Sequence, residues 1–286
     1  MPAKTITLLN PGDMGSVVGA CAHTAGNRVL WVNEGRSAQS HARAQAAGLE
    51  AVGSLTDALS ESDIVLSVCP PHAAVDTAEA VAATGFSGLY VDGNAISPVT
   101  AAKVGAIVRA AGGRFTDGGI IGPPPRKSGS TRLYLSGAHA AQAATVFTGS
   151  ALETVVMDGP EEAASSIKMC YAAWSKGSTA LLADIRALAG ALNVEDALLN
   201  EWNTSRAGLV DNSEQQIRAS AAKAWRWVAE MNEIGDSFAS VGLPDGFHRA
   251  AAQIYERLAP FKDSQDNELP AILDTINNKT ERNNKN

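Results

Sequence analysis

Cysteine is scarce in this chain. Cys21, Cys69 and Cys170 are an odd number with no C-x-x-C spacing, which argues against both a disulfide framework and a cysteine-built zinc site. Positive charge is also short: 23 Lys and Arg stand against 30 Asp and Glu, a net charge of −7, so no basic surface offsets the phosphates of a nucleic acid. No apolar run reaches the length of a membrane span, and no membrane partner is expected. The opening apolar stretch meets a Pro-Gly turn too early to act as a secretory segment. The five histidines show no metal-ligand spacing, and no metal is expected. Glycine (26) and proline (12) follow no three-residue period, which sets aside a collagen-like fibre. What is abundant is apolar: 45% hydrophobic against 19% charged residues over 286 positions, enough to bury a large core. These features describe a reduced, cytoplasmic globular protein.

Short apolar runs at 5–9, 28–32, 63–68, 89–92, 114–117, 133–136 and 154–156 alternate with Ala-rich stretches of helical period. Strands alternating with helices in this way predict β-α-β units and a mostly parallel sheet. Past Gly159 the strands stop. Residues 161–192 read as one long helix opened by Pro160, Glu161 and Glu162, and it is apolar on more than one face, as a helix buried by several neighbours or by a second subunit would be. The remainder is helical with breaks near Asn193, Gly208, Gly242 to Gly246 and Pro260. The expected fold is an α/β Rossmann-type N-terminal domain (1–158), a long interdomain helix leading an all-α C-terminal domain (159–276), and a frayed tail (277–286).

The first strand runs into Asn10-Pro11-Gly12-Asp13-Met14-Gly15 and a small-residue helix. A dinucleotide fingerprint needs a tight turn, a glycine where backbone meets pyrophosphate and a glycine for helix packing. Gly12 and Gly15 fill the last two positions. Asn10 replaces the first glycine, and Asn tolerates a positive φ better than most residues. In isolation the match reads equally as an ordinary strand-to-helix turn; its place at the end of the first strand favours a diphosphate at the helix N-terminus. The second strand ends in Asn33-Glu34-Gly35-Arg36-Ser37. Glu34 suits the ribose hydroxyls of NAD, and Arg36 with Ser37 suits the 2′-phosphate of NADP. NADP is the favoured cofactor, with NAD the alternative.

In this order the motifs resemble the β-hydroxyacid dehydrogenase and 6-phosphogluconate dehydrogenase superfamily, in its branch with the putative phosphogluconate-dehydrogenase C-terminal domain. The resemblance spans the chain to about Pro260. It implies that Asn10 to Gly15 hold the dinucleotide, that Cys69-Pro70-Pro71 touch its nicotinamide half, and that the substrate segment corresponds to Asp92-Gly93-Asn94-Ala95-Ile96-Ser97-Pro98. It also implies that Lys168, in Lys168-Met169-Cys170-Tyr171-Ala172, relays a proton at the substrate oxygen. The pattern is broken at three places. Asn94-Ala95 replace a Ser-Thr pair, Ile121 replaces a carboxylate-binding serine just before Gly122, and Tyr171-Ala172 replace an Asn pair.

Hydride transfer leaves one proton to manage, so one acid-base group must lie within hydrogen-bond reach of the substrate. Lys168 sits in an apolar stretch where a charge calls for a reason, although most lysines are surface groups. Ser165, Tyr171 and Ser175 lie at −3, +3 and +7 and share its helix face, so Tyr171 is a second catalytic candidate and Ser175 a substrate contact. Asn94 is expected at both cofactor and substrate, and His248 is expected to reach the substrate from the helical half, which the resemblance makes the substrate and dimerisation domain. Lys176 reads as a surface or phosphate-facing charge. The leading function is an NADP(H)-dependent dehydrogenase acting on a β-hydroxy acid, a β-hydroxy carbonyl or a related alcohol, working as a homodimer on a small molecule. Imine reduction and a non-enzymatic dinucleotide redox sensor are the alternatives.

Overall fold

A computed structural model describes residues 2–264 and 267–277 of the chain. The expected tail at 277–286 lies outside the described residues except for Asn277, which closes a helix. Contacts divide the chain into two compact units, Met1–Tyr171 and Ala172–Asn286.

In the first unit, strands and helices alternate: β1 (Thr5–Leu8), α1 (Asp13–Thr24), β2 (Arg28–Val32), α2 (Ala38–Ala46), β3 (Glu50–Val52), α3 (Leu55–Ser60), β4 (Ile64–Ser67), α4 (Ala74–Ala83), β5 (Leu89–Asp92), α5 (Pro98–Ala110), β6 (Arg114–Ile121), β7 (Arg132–Ser136), α6 (Ala140–Ala144) and β8 (Glu153–Val156). They form one sheet in the order β3-β2-β1-β4-β5-β6-β7-β8. Every pairing is parallel except β6 with β7. β4 and β5 are buried at every position, as expected of parallel strands covered on both faces. Alternate residues feed two cores. Ile6, Leu8, Ile64 and Leu66 pack with Val18, Val29 and Trp31 on one side; Val65 and Tyr90 pack with Ala78, Val104 and Phe115 on the other. The strand order reverses between β1 and β4, and a ligand crevice opens at the carboxyl ends of the strands flanking such a reversal.

Two strand readings change. β3 carries exposed Glu50 and Ala51 at the sheet edge, so it has no apolar alternation to betray it. β6 continues past Asp117 to Ile121, because Gly118 and Gly119, which look like strand breakers, leave room for neighbouring backbone. An added Cβ at Gly118 would strike the Asp92 carbonyl, and one at Gly119 would strike the Ala164 carbonyl.

The long helix α7 (Ala163–Ala191) starts two residues later than the sequence suggests. Pro160 lies outside it, its carbonyl accepting from Ala163 N–H at 3.1 Å. The second unit continues with α8 (Glu195–Ser205), α9 (Leu209–Ala221), α10 (Ala224–Ser240), α11 (Gly246–Arg257) and α12 (Leu269–Asn277). The breaks fall at Asn193 and Gly208, both with positive φ, at the turn before Gly246, and at a short 3-10 turn containing Pro260. Ile217, Met231, Ile234, Tyr255 and Ile272 are buried in this unit. Lys176 is not a surface charge: it is 14% exposed and pairs with Glu230 at 2.6 Å, while Tyr255 Oη donates to its carbonyl. Among the described residues no helix is long and apolar enough to cross a membrane.

Candidate active site

The turn after β1 has the geometry of an anion cradle. An added Cβ at Gly15 would run into the Asn10 carbonyl, so glycine is required there for α1 to start this close to the strand. Gly12 is different: nothing lies within 4 Å of where its Cβ would be. Bare backbone therefore faces open space at the N-terminus of α1, beside the strand-order reversal, which fits a diphosphate. Asn10 is not among the residues with positive φ. The expected reason for its tolerance is thus corrected: it sits here without left-handed backbone, and its side chain has a partner. Arg36 Nη1 donates to Asn10 Oδ1 at 2.5 Å and Nη2 to the Leu9 carbonyl at 3.0 Å. Ser37 caps α2, its Oγ accepting from Ser40 N–H. Glu34, Arg36 and Ser37 are all exposed. A separate groove of about 720 Å³ lies between α1 and α2 and shares only Asp13 with the turn.

At the end of β4, Cys69 N–H donates to Asn94 Oδ1 at 2.6 Å. Asn94 is 2% exposed. Its Nδ2 donates to Asp92 Oδ2 at 2.8 Å and to Ser67 Oγ at 3.1 Å, and its backbone N–H donates to Asp92 Oδ1 at 2.8 Å. The amide thus ties β5 to the Cys69-Pro70-Pro71 loop, fixing that loop's place beside the crevice. Burial raises the Cys69 thiol.

Two buried carboxylates lie beneath this edge. Burial raises Asp92 to about 8, opposed by the hydrogen bonds from Asn94 and reinforced by the charge of Asp117. Burial likewise raises Asp117 to about 6, against the two hydrogen bonds from Ser165. Asp117 also fastens α7 to the sheet. Ser165 Oγ donates to its Oδ1 at 2.6 Å and Ser165 N–H to its Oδ2 at 2.7 Å. Ser136 Oγ accepts from Ala164 N–H at 2.9 Å and donates to the Glu161 carbonyl at 2.7 Å. Helices leave their first N–H groups without intrahelical acceptors; α7 borrows acceptors from β6 and β7. Ser165 is therefore turned into the sheet, not along the lysine's face as its spacing suggested.

Three residues beyond Ser165, Lys168 is half-buried. Its Cβ lies 2.9 Å from where a Gly119 Cβ would be. Side chains alternate along a strand, so Asp117 and Gly119, which both meet α7, share their face of β6 with Ile121. Ile121 is 5% exposed and makes that face apolar where the family pattern has a hydroxyl. Gly122 follows with φ 126° and is packed against the Ser130 carbonyl, which fixes the turn after β6. Ala95 is half-buried.

Tyr171 is exposed. In the second unit Ser175 is half-buried on α7. His248 is 5% exposed, its ring 4.3 Å from that of Phe238 and 5.2 Å from that of Phe247, and burial lowers its pKa. The structure thus brings together Asn10, Gly12, Gly15 and Arg36 at one place, Cys69 with Asn94 at a second, and Lys168 with Gly119 at a third. Asp92, Asp117 and Ser136 were missed as functional residues. Asp92 takes its hydrogen bonds from Asn94, two residues on in the same segment, whereas the partner of Asp117, Ser165, is 48 residues away.

The NAD binding domain of 6-phosphogluconate dehydrogenase, as a family, matches residues 5–169, and a domain of unknown function matches residues 189–258. An uncharacterized 28.5 kDa protein of Methanothermus fervidus is 27% identical over 202 residues, 70% of this chain and 78% of its own length. Among solved structures, a conserved protein of unknown function, described as similar to 3-hydroxyacid dehydrogenases, is 25% identical with a TM-score of 0.66, covering 90% of this chain and 97% of that one. The Mycobacterium tuberculosis 3-hydroxyisobutyrate dehydrogenase shares the fold at 20% identity with a TM-score of 0.71, covering 96% of this chain and 99% of its own. The match over 5–169 falls on the sheet, the glycine turn and the start of α7, and the chain accordingly belongs to the β-hydroxyacid dehydrogenase superfamily, with the nicotinamide-dinucleotide-binding domain of the 6-phosphogluconate dehydrogenase type.

Proposed function

We propose that the chain is an NADP(H)-dependent oxidoreductase that transfers a hydride between nicotinamide and a β-hydroxy acid, a β-hydroxy carbonyl or a related alcohol or carbonyl compound. One observation carries the reading: Lys168 stands against Gly119 at the carboxyl edge of the sheet that also bears the open glycine turn. Bound there, the nicotinamide dinucleotide supplies or accepts the hydride. The residues of the chain do the rest. Gly12 and the first N–H groups of α1 hold the diphosphate, and Arg36 meets the 2′-phosphate with the N–H groups that Asn10 and Leu9 leave over. Asn94, through Cys69, positions the loop expected at the nicotinamide. Lys168 holds or gives the proton at the substrate oxygen, with Tyr171 beside it on α7. Ile121 favours substrates with an apolar group over those with a second carboxylate at that point.

The test is a screen of alcohols, carbonyls and imines followed by nicotinamide absorbance, repeated on Lys168→Ala. Turnover of the best substrate is expected to fall by about 10²–10⁴ in the variant with cofactor affinity unchanged. Normal turnover in the variant removes Lys168 from the proton path. Turnover of imines alone favours imine reduction, and cofactor binding with no turnover of any compound favours a redox sensor.

The active form is proposed to be a homodimer. Trp174, Leu181 and Leu188, spaced by seven residues on α7, are 75%, 44% and 57% exposed, and an apolar helical stripe of this length fits a second copy of the same surface.

A further inference from the structure

Asn10 departs from the glycine that heads the dinucleotide fingerprint, and the structure gives the departure a purpose. Its backbone carbonyl is the group that packs against Gly15, a contact that any residue at position 10 would provide. Its side chain does something glycine cannot: Oδ1 accepts from Arg36 Nη1 at 2.5 Å while the Leu9 carbonyl accepts from Nη2 at 3.0 Å. The two acceptors grip both arms of one guanidinium. A guanidinium has five N–H groups in a rigid fork, so one on each terminal nitrogen and the Nε–H stay available. Arg36 is otherwise an exposed side chain on the loop between β2 and α2, with several rotatable bonds to immobilise when it meets a ligand.

We infer that Asn10 is a specificity-determining residue, which holds the Arg36 guanidinium over the end of β1 so that it meets the 2′-phosphate of the dinucleotide already ordered. The inference rests on the proposed role of Arg36 and extends it to a residue that needs no contact with the phosphate. Ordering an arginine before binding is worth about two- to tenfold in affinity. The gain falls on NADPH, since NADH offers the guanidinium a neutral hydroxyl in place of the charged phosphate.

Dissociation constants for NADPH and NADH, from quenching of protein fluorescence or calorimetry, test this without any substrate. Asn10→Ala keeps the Cβ and the backbone and removes only the amide. It is expected to weaken NADPH about two- to tenfold and to leave NADH unchanged. Asn10→Asp keeps the acceptor but adds a negative charge beside the phosphate, and is expected to weaken NADPH more than Asn10→Ala does. The double variant Asn10→Ala/Arg36→Ala is expected to bind NADPH no more weakly than Arg36→Ala alone, because an absent guanidinium cannot be held. The inference is overturned if Arg36→Ala loses the preference for NADPH while Asn10→Ala keeps it in full, or if the two effects simply add. Should Arg36→Ala keep the preference as well, the role of Arg36 itself fails and the inference fails with it. Thermal melts of each variant with and without ligand separate a damaged turn, which would weaken both nucleotides alike, from the expected selective loss.

Discussion

Asp92→Asn should change the pH dependence of stability of the protein. Burial raises this carboxyl to about 8 in the folded chain, against about 3.9 for an unfolded aspartate. The native state therefore keeps a proton that the unfolded state has released, and the stabilising difference is complete below the ordinary aspartate pKa and lost as pH rises toward 8. Each such proton is worth about 1.4 kcal/mol per pH unit. Asp117, raised to about 6, adds a second proton only between the ordinary aspartate value and its own. From pH 6 to pH 8 the slope from this pair thus belongs to Asp92, a loss of about 2–3 kcal/mol. Asparagine cannot titrate. It also brings an NH₂ toward Asn94 Nδ2, which now donates to Asp92 Oδ2, and two facing donors cost about 1–3 kcal/mol at every pH. The informative quantity is therefore the slope and not the stability itself. Urea unfolding at pH 6, 7 and 8 measures it: the parent should weaken steadily, and the variant should be flatter by about one proton. Equal slopes in the two proteins would show that Asp92 ionises normally and would refute the reasoning.

Two further perturbations address the seat of Lys168 and the assembly. Gly119→Ala puts a methyl against the Ala164 carbonyl and the Lys168 Cβ, so α7 must move from β6; turnover should drop at least tenfold with NADPH affinity kept, as steady-state kinetics beside a binding titration will show. Leu181→Glu places a charge in the exposed stripe of α7; light scattering after size exclusion should report a monomer, and an unchanged dimer would place the contact elsewhere.

The alternating pattern of the first unit was legible because parallel strands such as Ile64–Ser67 and Leu89–Asp92 are buried throughout and apolar up to their last residue, and the long helix because its composition has no strand-like period. β3 was not, being three residues long and largely exposed at the sheet edge. The end of β6 was missed because a glycine pair reads as a turn until the carbonyls that press on it are known. At the site, Gly12, Gly15, Arg36 and Lys168 could be found by spacing and resemblance. The work of Asp117 could not: its partner Ser165 is 48 residues away, and no local pattern announces a helix whose first N–H groups are accepted by two neighbouring strands. The local sequence of Asn10 speaks only to backbone tolerance, whereas the role of its side chain depends on Arg36, 26 residues on.

That borrowed cap on α7 has a bearing on synthesis. Ser136 and Asp117 leave the ribosome before the helix they hold, so the β6 and β7 hairpin is available as a mould when Ala163 to Lys168 emerge. A chain permuted to deliver α7 first would have to keep that end of the helix waiting in water, with the amine's final position undefined until the hairpin arrived.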